Sequence, residues 1–94
     1  MRRGSVRRVP FKIHLPVHLL MELQVIASRI KSLREDRGWT QEDLVERTGL
    51  HRNTIGRMEA GGQAPSLAAY LVVADALGVP AWRLFRDEDE PEAE

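Results

Sequence analysis

The chain has 94 residues, 14 basic and 14 acidic groups and no cysteine. That excludes disulfides, thiolate nucleophiles and cysteine-based zinc fingers, and it fits a reducing cytoplasm. No apolar run approaches the ~20 residues of a membrane span, so no membrane partner is expected, and the length allows one domain with tails.

The zero net charge hides a polarised distribution. Residues 1–27 carry Arg2, Arg3, Arg7, Arg8 and Lys12 against Glu22 alone. Six acids crowd the last eight residues, DEDEPEAE. Such an end is expected to be a solvated, disordered tail.

The start, MRRGSVRRVPFKIHLPVHLL, has basic residues but no sustained apolar stretch and no small-residue cleavage site, so it does not read as a signal peptide. Val9, Phe11, Ile13 and Leu15 alternate with other residues, which suits an extended segment. It is read as a strand for a second chain, as a trailing basic arm, or as sequence ahead of a true start at Met21. His14, His18 and Glu22 fall at four-residue spacing, but Pro16 interrupts the helix that would align them, so no metal site is expected.

Helical signals begin after this segment. In residues 22–37, Val25, Ile26, Ile30 and Leu33 recur at helical spacing and Gly38 ends the run. Thr40, with Asp43 three residues on, is a capping-box variant that opens a helix over 41–48. That helix points Leu44 and Val45 inward and stops at Gly49, with Leu50 filling the turn. A third helix, about 52–59, buries Ile55 and Met58. Gly61 and Gly62 break the chain and Pro65-Ser66 restarts it. A fourth helix, about 67–77, has Leu67, Leu71, Ala74 and Leu77 on one face and ends at Gly78. Pro80, at a first helical position, opens a fifth over 80–85 with Trp82, Leu84 and Phe85.

The third helix is short and polar. With Ile55 and Met58 inward, its outer face carries Arg52, Asn53, Gly56 and Arg57. Arginine can bond bidentately to guanine O6 and N7, and asparagine to adenine N6 and N7.

From about residue 26 to 85, the chain resembles the Cro/phage-repressor (XRE-type) helix-turn-helix family. The carriers are RIKSLREDRGWTQEDLVERTGL, NTIGRMEAG, and Pro65 followed by LAAYLVVADALGV. Three positions depart from the family's pattern: Val45 for the usual alanine, Gly56 inside helix three, and Ala60 where many members have a polar residue. The resemblance implies an all-α, five-helix, lambda-repressor-like DNA-binding domain over 22–86, between a basic N-terminal extension (1–21) and the acidic tail (87–94). It implies a structural salt bridge between Arg34 and Glu59. It places helix three in the major groove of double-stranded DNA, with Arg52, Asn53 and Arg57 on bases and Gln41, His51 and Thr54 on phosphates. For His51, capping the helix is the alternative.

The implied function is that of a sequence-specific regulator of transcription, bacterial or phage in type, acting as a cytoplasmic homodimer. The dimer surface lies either around helix five, with Trp82 and Phe85, or in the N-terminal segment. An antitoxin that autoregulates its operon and holds a toxin is a second reading, and a protein-interaction module on the same fold a third. The sequence has no Ser/His/Asp set, no carboxylate pair in a cleft and no Gly-rich phosphate loop, so neither enzymatic activity nor a cofactor is expected.

Overall fold

In the computed structural model, residues 14–86 are described, and they form four α-helices and one 3-10 turn. No strand occurs among the described residues. The expectations for residues 1–13 and 87–94 fall outside them.

Helix α1 runs Val17–Asp36, starting five residues earlier than its periodicity predicts. Pro16 does not interrupt it. Proline lacks a backbone donor but keeps its carbonyl, and here it caps the helix, accepting from the N–H groups of Leu19 and Leu20. Val17–Met21 are therefore helix, not extension. His14 precedes the helix, so it cannot share a helical face with His18 and Glu22.

Helices α2 (Gln41–Thr48) and α3 (Arg52–Ala60) follow at the predicted places. Thr40 Oγ1 accepts from the Asp43 N–H, and an Asp43 carboxylate oxygen accepts from the Thr40 N–H, which closes the capping box. Helix α4 covers Leu67–Leu77, with the Ser66 hydroxyl accepting from Ala69 N–H at its start. The expected fifth helix is only a 3-10 turn, Ala81–Leu84. Pro80 caps it rather than occupying its first position, and four residues are too few for a sustained i→i+4 ladder.

The core gathers one stripe from each element. Ile30 and Leu33 of α1, Leu44 of α2, Ile55 and Met58 of α3, Tyr70, Val73, Ala74 and Leu77 of α4, and Leu84 pack into a single cluster. Trp39, Val45 and Leu50 close its edge. The apolar face predicted for α4 is rotated. Ala69, Tyr70 and Val73 go inside, and Leu67 and Leu71 are exposed. Its sequence, LAAYLVVADAL, is apolar nearly all round, so spacing alone does not choose a face.

Candidate nucleic-acid interface

The α2–α3 junction is a tight corner. Gly49 sits at φ 74°, a left-handed conformation that costs a side-chain-bearing residue about 1–2 kcal/mol. Its N–H donates to the Val45 carbonyl at 2.8 Å. The Thr48 hydroxyl donates to the Leu44 carbonyl at 2.7 Å and accepts from the Leu50 N–H at 3.1 Å, tying the corner back to α2. His51 then caps α3, its Nδ1 accepting from the Asn53 N–H at 3.3 Å. A ring nitrogen that accepts carries no proton, so the imidazole proton sits on Nε2. Capping, one of the two roles considered for His51, is thus in place.

Two buried anchors, Ile55 and Met58, hold α3 to the core. The 100° step per residue turns Arg52, Asn53, Gly56, Arg57 and Ala60 together to the opposite side. Gly56 lies in open space, where an added Cβ would meet no atom within 4 Å. Thr54, at the edge of this face, is half-buried.

Under this face lies a brace that joins three helices. Arg34 donates from Nε to Glu59 Oε2 (2.7 Å) and from Nη2 to Glu59 Oε1 (2.8 Å). Its Nη1 donates to the Trp39 carbonyl (2.7 Å). Glu59 Oε1 also accepts from Gln41 Nε2 at 3.1 Å. The Arg34 and Glu59 side chains are only 9% and 3% exposed. The Glu59 hydrogen bonds hold the Arg34 proton more firmly than in water, outweighing the burial that opposes its charge. Gln41, the first residue of α2, spends one amide N–H inside the brace and has a second N–H on the same nitrogen.

A second arginine–glutamate pair lies outside. Arg52 Nη2 donates to Glu42 Oε1, with side chains 68% and 51% exposed. Glu42 was not among the residues singled out from the sequence. Ten positions separate the partners, and only the angle at the Gly49 corner brings them together. Two further contacts escaped the sequence. Arg47 stacks its guanidinium 3.9 Å above the Trp39 ring. Gly61, at φ 77°, packs so closely on α1 that a Cβ there would come within 3.0 Å of Gln24.

The matches with known proteins agree with this geometry. Residues 25–84 match the model of the helix-turn-helix domain. The chain belongs to this family. It is similar to the uncharacterized HTH-type transcriptional regulator YazB of Bacillus subtilis (strain 168), 33% identical over 68 residues, which cover 72% of this chain and 99% of that protein. It is also 33% identical over 55 residues to the HTH-type transcriptional regulator SutR of Escherichia coli (strain K12). That match covers 58% of this chain and spans only 31% of SutR. Among solved structures, the helix-turn-helix chain resembles the restriction-modification controller protein C.AhdI from Aeromonas hydrophila, with TM-score 0.66 and 34% identity. The superposition covers 69% of this chain and 98% of C.AhdI. Among the described residues, no helix is long and apolar enough to cross a membrane.

Proposed function

We propose that this helix-turn-helix protein is a sequence-specific DNA-binding regulator of transcription, a repressor acting as a homodimer. The observation that carries this reading is the outer face of α3. Arg52, Asn53 and Arg57 stand exposed on one side of a helix anchored by Ile55 and Met58. That helix enters the major groove, where arginine reads guanine and asparagine reads adenine. Gln41, His51 Nε2 and the Thr54 hydroxyl meet phosphates and fix the register. Two copies of α3, about 34 Å apart, would read a pseudo-palindromic site. One copy alone contacts too few base pairs to be selective.

The test is a selection from random duplex DNA with the purified chain at physiological salt. The expected result is an enriched palindrome with half-sites about one helical turn apart, and binding that weakens steeply with salt. A folded chain that enriches nothing would reject the reading and point to a protein partner, as in an antitoxin or an interaction module.

A further inference from the structure

The outward side of α1 has no role in the account so far. Met21 is 62% and Val25 49% exposed, and Val17 is more exposed still. Ser28 and Ser32 continue the same line and are also exposed. The spacing of Met21, Val25, Ser28 and Ser32 is four, three, four, which keeps them on one seam of a helix. The N-terminal half of the seam is bulky and apolar, and the C-terminal half is small. Beside the small half runs a groove of about 420 Å³, lined by Val25, Ser28, Ser32 and Arg83. A second groove joins Val25 and Ile26 to Phe85, with Glu22 and Arg29 at its rim.

We propose that this seam binds a second copy of the chain, with the two α1 helices antiparallel. An antiparallel pair centred between Ile26 and Ala27 sets Met21 against the partner's Ser32 and Val25 against the partner's Ser28. Met21 and Val25 then each meet a serine, on both sides of the two-fold axis. A parallel pair would stack bulky on bulky and leave the serine half unfilled. The same axis brings Glu22 near the partner's Arg29, opposite charges at flanking positions. Arg29 also donates to the Leu84 carbonyl at 3.4 Å, which holds its stem beside the groove. Phe85, one of the residues considered for the dimer surface from the sequence, borders that groove. The partner is this chain itself, because the seam is complementary to its own reverse in both size and charge.

This assignment rests on the homodimer reading, and two measurements on the full chain separate them. The first is sedimentation of the wild type and of Met21→Asp/Val25→Asp. Both side chains are exposed in the single chain, so the helix signal should hold, while the thermal midpoint should lose the dependence on chain concentration that a dimer confers. The dimer dissociation constant should rise by more than about 100-fold, because unpaired carboxylates would be buried in the seam. A wild type that is monomeric throughout overturns the dimer itself. A wild type and a variant that are equally dimeric overturn only the seam. The second measurement exploits the absence of cysteine. Chains carrying Val25→Cys and chains carrying Ser28→Cys are oxidised separately and as a mixture. The antiparallel seam predicts efficient cross-linking in the mixture. Like pairs are offset by three residues, about 4.5 Å along the axis, and should link poorly. Efficient linking of Val25→Cys to itself, with no gain in the mixture, would mean parallel packing and would reject the proposal.

Discussion

Arg34 and Arg52 each meet a glutamate from a neighbouring helix, yet one region is a brace and the other is the face proposed to read DNA. Arg34 is buried, gives the Nε–Nη2 edge of its guanidinium to both oxygens of Glu59, and donates from Nη1 to the Trp39 carbonyl. Three of its five N–H groups are bonded within the brace, and its side chain is only 9% exposed. Arg52 is exposed and gives one nitrogen to Glu42. The rest of its fork remains in solvent, and an exposed pair of this kind contributes only ~0–1 kcal/mol. The same residue types are therefore buried in a structural pair in one place and left available to a ligand in the other. Burial and the number of partners decide which.

The comparison breaks most visibly at Arg34. Arg34→Ala strands a buried Glu59 carboxylate, so unfolding in denaturant should show a loss of about 3–5 kcal/mol. A fully stable variant with altered base preference would exchange the roles given to the two arginines. Arg52→Ala should do the opposite. Stability should stay within ~0.5 kcal/mol, while binding to the best site should fall by about 1–3 kcal/mol, as measured by titration of labelled duplex. Gly56→Ala sharpens the picture of the reading face. The site is open and helical, so the protein should gain up to about 1 kcal/mol in thermal unfolding. Weaker binding to DNA in that more stable variant would mean that Gly56 is there to let the backbone approach closely.

Glu42→Gln tests whether the outer pair is a brace after all. Stability should again stay within ~0.5 kcal/mol, and affinity for unrelated sequences should rise once a carboxylate is removed from the interface. A clear loss of stability would put Arg52–Glu42 in the same class as Arg34–Glu59. The smallest effect concerns the Thr40–Asp43 capping box that starts α2. The hydrogen bond from the Thr40 backbone N–H, and after it the Thr40 side chain, hold the Asp43 carboxyl below its ordinary value of 3.8. The unfolded chain therefore binds the proton first as pH falls, and stability rises with pH in that window. The contribution is complete at neutral pH and is lost as pH drops through the lowered value. Asp43→Asn should flatten that part of the curve of thermal midpoint against pH.

What the sequence disclosed follows from range. Thr40 with Asp43, Gly49, and Ile55 with Met58 lie within a few residues of the structure they specify, and each was legible. The start of α1 was not. VHLLMELQV is apolar on most sides, and Pro16 reads as a breaker until its carbonyl is seen to cap the helix. The buried face of α4 was misplaced for the same want of contrast. The Glu42–Arg52 contact and the Gln41–Glu59 bond depend on the angles between helices, which no local pattern contains. The candidate reading residues were legible as a polar face and the Arg34–Glu59 pair from the family resemblance, but that Gln41 joins this brace and Arg52 meets Glu42 needed the fold.

Arg52, Asn53 and Arg57 are proposed to read bases from a face supported by the Arg34–Glu59 brace. The most direct measurement is the random-duplex selection repeated with Arg52→Ala, Asn53→Ala and Arg57→Ala beside the wild type. The account predicts that each variant keeps the palindrome and loses preference at its own position in both half-sites. A uniform loss of affinity across all sequences, with the preferred bases unchanged, would contradict it and make these three side chains contacts to the DNA backbone.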